Sequence, residues 1–196
     1  PFPGVHATLD YATVGVDRTI YTVTTGSQMT YVFSDTGKLL QQIDAHGNNY
    51  DFTYNEFGQL TRVEEPVSGR FLDFIYYPDG KLSTVTDPIS RTTQFFYNPQ
   101  GHLTQVIDTR DKLWQYDYTE AAPGFDLLSR VTDPDSRILE ETGFDAFGRA
   151  ITQTYRGQEL SIVYFEDGRR LITNGLSQET IHVYNQHGLL IGVADA

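Results

Sequence analysis

Residues 71–91 read FLDFIYYPDGKLSTVTDPISR. Leu72, Phe74 and Tyr76 alternate with Asp73 and Ile75, which is the period of a strand. Tyr77-Pro78-Asp79-Gly80 follows. In such a turn Pro presets φ, Asp bonds its own backbone and Gly takes the left-handed conformation that closes it. Leu82 to Thr86 reads as a second strand and Asp87-Pro88 as a second reversal. One hairpin of this kind is marginal in water. The stretch decides the fold because it recurs.

The recurrence is anchored on glycine. Gly37, Gly58, Gly80, Gly101, Gly148, Gly168 and Gly188 each stand four residues after an aromatic ring: Phe33, Tyr54, Tyr76, Tyr97, Phe144, Tyr164 and Tyr184. Successive anchors lie 20 to 22 residues apart, except across the 47 residues from Gly101 to Gly148. That interval holds one further unit. Trp114, Tyr116 and Tyr118 mark its first strand and Leu128 to Thr132 its second, with the longer segment 119–126 in place of a short turn. Eight units result. Seven residues after the Gly an acid recurs, at Asp44, Glu65, Asp87, Asp108 and Asp195, and Asp133 fits once the insertion is counted. Tyr155 and Gly175 stand there in two late units, whose reversals read as Arg156-Gly157 and Asn174-Gly175.

The expected fold is therefore all-β, an array of about eight antiparallel hairpins forming a curved repeat sheet. Tyr50, Phe52 and Tyr54 share one face of a strand, as do Leu72, Phe74 and Tyr76. Hairpins set side by side would line such rings into ladders, each ring pair adding roughly 0.5–1.5 kcal/mol. Leu60, Leu82 and Leu103 are expected on the same layer. The opposite face reads as mixed: Thr53 and Asp117 are polar, while Ile75, Phe96, Val163 and Val183 are not. Residues 28–196 form the array. Residues 1–27 carry strand-like runs but no turn motif, and read as a degenerate repeat or a preceding element.

Composition narrows the function. The formal charge of −12 disfavours a phosphate backbone and an anionic membrane surface. Thirteen Tyr and twelve Phe argue against disorder. There is no Cys, so disulfides and thiolate metal sites are out. No apolar run is long enough to span a bilayer as a helix, so membrane insertion is not expected.

A search for chemistry returns little. Glu64-Glu65 and Glu140-Glu141 are adjacent, so their side chains should point to opposite faces. A glycosidase needs two carboxyls facing one cleft. His6, His46, His102, His182 and His187 show no metal-type spacing. The Asp-rich turns lack a calcium-loop pattern. No nucleophile elbow, P-loop or dinucleotide fingerprint is present. The reading is of a non-enzyme with no cofactor and no metal. The rival is carbohydrate binding, since a strip of rings on a sheet can stack on sugars. Trp114 and Tyr116, beside the odd segment 119–126, are the candidates.

The unit Tyr-[Asn/Asp]-x-x-Gly-x-Leu, then a strand, then Asp-Pro-x-x-Arg, resembles the YD repeat of the Rhs family. Tyr54 to Leu60 with Arg62, Tyr76 to Arg91, and Tyr97 to Leu103 carry the likeness. It extends from about Gln28 to the C-terminus. The family includes bacterial polymorphic toxins, shells of insecticidal toxin complexes, wall-associated proteins and teneurins. The resemblance implies a ribbon of hairpins spiralling into a hollow shell, which in the bacterial toxins encloses a C-terminal toxic domain. The family's self-cleavage box is not found here. The chain is then expected to be a piece of wall in a larger secreted or surface protein. Its partners would be other repeats of the same parent and an enclosed C-terminal domain, with a glycan as the alternative and self-association through open sheet edges as a further expectation.

Overall fold

The computed structural model describes residues 6–15, 18–122 and 124–195. Every regular element among them is a β-strand. The chain divides into two compact units, 1–94 and 95–196. The repeat pattern shows no break at that point, because both units are built from the same hairpin.

Unit 1 holds β1 (Ala7–Val14), β2 (Arg18–Thr25), β3 (Thr30–Phe33), β4 (Leu39–Ile43), β5 (Asn49–Tyr54), β6 (Leu60–Glu65), β7 (Arg70–Tyr76) and β8 (Leu82–Thr86). Each pairs antiparallel with the next in chain order. β8 pairs with the first half of β9 (Thr92–Tyr97), within which the division falls. Unit 2 continues with β10 (Leu103–Ile107), β11 (Leu113–Ala122), β12 (Phe125–Thr132), β13 (Ile138–Phe144), β14 (Ala150–Tyr155), β15 (Gln158–Tyr164), β16 (Arg169–Asn174), β17 (Glu179–Tyr184) and β18 (Leu190–Asp195). From β10 onwards each strand again pairs antiparallel with its successor.

The register separates two faces. Phe52 lies opposite Val63, Val63 opposite Leu72, and Phe74 opposite Val85. This is the aromatic face. On the other face of unit 1, Thr53 lies opposite Arg62, Arg62 opposite Asp73 and Asp73 opposite Thr86. Arg62 Nε sits 3.2 Å from Asp73 Oδ1 and 3.6 Å from Glu64 Oε2. Its guanidinium also stacks 4.0 Å from the Phe71 ring centroid.

No core covers either face. Among the described residues no apolar side chain is buried, and the one buried polar side chain is Asp133, 5% exposed. Each hairpin is held by its neighbours, as in a one-dimensional repeat.

Four details differ from the sequence reading. The segment before the first glycine turn does contain the repeat's turn: Thr25 N–H donates to Met29 O, Gln28 N–H donates to Thr25 O, and Gln28 takes φ 61°. Gly26 and Ser27 inside it are turn residues by type, but the left-handed position falls on Gln28, where most units have Gly. Segment 119–126 is not an open loop but a prolonged hairpin. Thr119 pairs with Leu127 and Glu120 with Asp126, with register shifts that absorb the extra residues; Pro123 lies outside the described residues. Asn174-Gly175 is not a two-residue turn. Asn174 opens a five-residue turn in which Ser177, not Gly175, has positive φ (59°). The fourth concerns the rings of the aromatic face, which also meet cations and backbone carbonyls.

Candidate functional site: the aromatic face and its turns

Most turns at both ends of the strands share one construction, from which the turn 65–69 and Arg156-Gly157 depart. Asn98 N–H donates to His102 O and Gly101 N–H donates to Asn98 O. At the opposite end Asp87 N–H donates to Arg91 O and Ser90 N–H to Asp87 O. A side-chain oxygen on the first residue caps the turn. Asn55 Oδ1 accepts from Gln59 N–H, and Asp145 Oδ1 from the N–H groups of Phe147 and Arg149. Asp133 Oδ1 accepts in the same way from Asp135 and Arg137. Tyr77 and Phe165 carry no such oxygen, and there Asp79 and Asp167 accept from Lys81 and Arg169 instead.

The D-x-x-x-R spacing has a mechanical cause. Arg91 Nε reaches Asp87 Oδ2 at 2.7 Å, Arg137 reaches Asp133 at 2.8 Å, and Arg149 reaches Asp145 at 2.7 Å. One carboxylate oxygen takes backbone donors and the other takes the guanidinium. At Asp108 the bond from Arg110 is the largest influence; with the backbone N–H groups of Arg110 and Lys112 it outweighs desolvation and lowers the carboxyl pKa to about 2. For Asp87, Asp133 and Asp145 desolvation is the largest influence and pushes upward. The combined backbone and arginine bonds outweigh it, so these carboxyls sit below the usual range.

The glycines Gly37, Gly58, Gly80, Gly101, Gly148, Gly168 and Gly188 all have positive φ, between 75° and 92°. At the other end that conformation falls to Ser90, Asp111 and Ser136, with φ of 62°, 58° and 62°.

In four units the aromatic of this ladder ties one hairpin to the preceding one. Tyr54 Oη donates to Leu39 O at 2.8 Å, Tyr76 to Leu60 O at 2.7 Å, Tyr118 to Leu103 O at 3.0 Å and Tyr164 to Ala150 O at 2.9 Å. Each acceptor stands two residues past the preceding turn glycine. Burial raises the phenol pKa of Tyr54, and of Tyr118 with a smaller contribution from Tyr116. Phe33 and Phe144 occupy the same position without a hydroxyl, and Tyr97 ends β9. Tyr184 Oη instead lies 3.5 Å from His182 Nδ1.

After four of these glycines, the next residue reaches the following unit. Lys38 Nζ lies 5.2 Å from the Tyr54 ring centroid, and the Arg149 guanidinium lies 4.3 Å from that of Tyr164. His102 stacks on Tyr118 with centroids 4.7 Å apart. Gln59 Nε2 donates to Gly80 O at 3.1 Å. One position later, Arg170 lies 3.8 Å from Tyr184. The sequence reading assigned these positions no role; their variety of type hides a shared placement.

The other candidates have settled partners. Glu64 lies beside Arg62, Glu65 holds Ser68 and Arg70, Glu140 accepts from Gln153, and Arg130 donates to Glu141. Trp114 is half-buried and lines an open recess with Asp133, Arg137, Ile138, Leu139 and Arg156. Tyr116 lies opposite Val131 in the sheet. The prolonged hairpin sets Asp126 Oδ2 3.6 Å from His102 Nδ1.

Residues 76–113 match the model of the RHS Repeat family. Over that stretch the chain is similar to an Rhs repeat. A comparison with curated proteins gives no match. Among solved structures, the crystal structure of TcdB2-TccC3-TEV aligns at 12% identity and TM-score 0.50 over 96% of this chain and 13% of that one. The structure of the Photorhabdus luminescens Tc holotoxin pore with the TccC3-D651A mutation aligns at 12% identity and TM-score 0.51, covering 98% and 13%. The likeness shows the fold, an all-β antiparallel repeat sheet. The chain spans about an eighth of the chains it resembles.

Proposed function

We propose that this chain is a non-catalytic wall segment of an Rhs/YD shell in a larger secreted or surface protein. The observation that carries the reading is the aromatic face: apolar, uncovered, and tied hairpin to hairpin by tyrosine hydroxyls. A sheet with no core of its own is suited to being one layer of a larger body. The side chains that elsewhere serve chemistry are spent here on turns. The Rhs repeat match and the Tc-toxin likeness support the same role. On this reading the aromatic face lies toward the covered side, its partners are neighbouring repeats, and the enclosed object is a C-terminal domain of the parent. The test is protease protection in the intact parent. A C-terminal domain that resists protease until the repeats are unfolded supports containment; one cleaved at the same rate with and without them overturns it.

A second reading rests on Trp114, whose recess also holds Arg137 and Arg156. A ring beside cations suits an acidic sugar. Saturable glycan binding lost in Trp114→Ala, with the far-UV spectrum unchanged, would favour it over the wall.

A further inference from the structure

Asn174 is the one asparagine of the chain that precedes a glycine; Asn48, Asn49, Asn55, Asn98 and Asn185 precede larger residues. It opens the turn 174–178, in which its N–H donates to Gln178 O and Ser177 N–H donates to Asn174 O. Asn174 and Gly175 are both exposed. The side-chain amide is held at both of its polar atoms. Oδ1 accepts from the N–H groups of Leu176 and Gln178, each at 3.0 Å, and Nδ2 donates to Gln178 Oε1 at 2.8 Å. Two backbone N–H groups converging on one carbonyl oxygen draw electrons from its carbon and stabilise an oxyanion that forms there. The Gly175 nitrogen follows directly in the chain. No side chain of its own shields it, and its N–H meets no acceptor among the described residues. Electrophile, anion-stabilising donors and nucleophile thus belong to one turn, and their reaction is intramolecular.

Two other sites share the following glycine, Asp79-Gly80 and Asp167-Gly168. The structure sets them apart. Asp79 is bonded by the Lys81 side chain and backbone N–H, and Asp167 by the backbone N–H and guanidinium of Arg169. Those bonds hold both carboxyls below the usual range, and an ionised carboxylate resists attack by nitrogen. Asn174 presents a neutral amide, with Gln178 at the offset where Asp87 and Asp133 have Arg91 and Arg137.

We propose that Asn174 is a site of self-modification, deamidated by its own turn. The Gly175 nitrogen gives its proton to hydroxide and attacks Asn174 Cγ. The new N–C bond closes a cyclic imide as the Cγ–Nδ2 bond breaks and ammonia leaves. Water then opens the imide at either carbonyl, leaving an aspartyl or an isoaspartyl residue at position 174.

The fold distinguishes the two products. An aspartyl residue fits, because Asp44 holds the same place in its own turn with an amide at the same offset. Asp44 Oδ1 accepts from the N–H groups of His46 and Asn48, and Oδ2 accepts from Asn48 Nδ2. An isoaspartyl residue routes the main chain through its Cβ. The turn is then lengthened, and the carbonyl that Ser177 N–H meets leaves the main chain. β16 and β17 lose the turn that sets their register.

The experiment is incubation of the purified protein in mildly alkaline buffer, followed by peptide mapping with fragment spectra. Asn174 should gain the mass of NH exchanged for O while the other five asparagines stay intact. Gly175→Ala should slow the change severalfold. The alanine fits the turn, since Gly175 lies outside the left-handed region and an added Cβ comes no closer than 3.6 Å to the Glu159 backbone. The separated products should differ in amide exchange, the aspartyl form keeping the protection of β16 and β17 and the isoaspartyl form losing it. An Asn174 that survives in the folded protein over the time in which the urea-unfolded chain loses it overturns the proposal, because the turn then shields the amide. A Gly175→Ala chain that is folded by far-UV dichroism and modified at the unaltered rate overturns it too.

Discussion

The hydroxyl of Tyr76 donates to the carbonyl of Leu60 at 2.7 Å, joining two hairpins across 16 residues of chain. The bond lies on a half-buried ring, so two contributions can be separated. Tyr76→Phe should cost about 0.5–1.5 kcal/mol, the net worth of one hydrogen bond. Tyr76→Ala should cost more, towards the lower end of the roughly 3–5 kcal/mol of aromatic truncations, because the ring is not fully buried. Urea denaturation of the three proteins checks both. Equal stability of Phe and Tyr would show that water replaces the bond without loss.

Gly80 has φ 88°, and a Cβ there would come within 3.4 Å of Gln59 Nε2. Gly80→Val should destabilise by roughly 1–2 kcal/mol or more, the cost of a side chain in the left-handed region. An unchanged melting temperature would refute the turn assignment.

Ser136 is the converse case, a non-glycine held at φ 62°. Glycine there removes about 1–2 kcal/mol of left-handed strain and adds roughly 0.5–1 kcal/mol of chain entropy. Ser136→Gly should therefore raise the melting temperature slightly, and a fall would mean the Ser136 side chain does more than fill the position.

The turn carboxylates make stability depend on acid. Asp108 is held at about 2, below the ordinary value of about 3.9. Asp44, Glu65, Asp79, Asp87, Asp133, Asp145 and Asp167 are lowered in the same direction. A lowered folded pKa stabilises above the unfolded value, and that stability is lost as pH falls through the folded one. Unfolding should therefore ease progressively between about pH 4 and pH 2, with little change from pH 5 to 7. In Asp108→Asn that acid loss should be shallower. Thermal melts across this range decide it, and a flat profile would show the turn bonds to be equally present in the unfolded chain.

Much of this protein is legible in its letters. The spacing of aromatic and glycine gives the hairpin, because alternation and left-handed turn geometry are local. The clasp of Asp87 and Arg91 is equally local, four residues apart in one turn, but the letters show only its spacing and the structure shows the bond. Other features are silent. Gln28 and Ser177 take left-handed φ that neither residue type signals, since hydrogen bonds around the turn select it. The extra residues before Leu128 read as a loop, yet pairing strand to strand is the cheaper way to satisfy their backbone groups. His102, Lys38, Gln59 and Arg149 have nothing in common as residue types; a shared position relative to the next unit gives them one task. The sequence by itself determined the repeating unit and the direction of each strand, which depend on neighbours a few residues away. The tertiary structure alone decided the register between hairpins, the carbonyl each tyrosine meets, and that the apolar face stays uncovered. Those depend on where separate units come to lie beside one another.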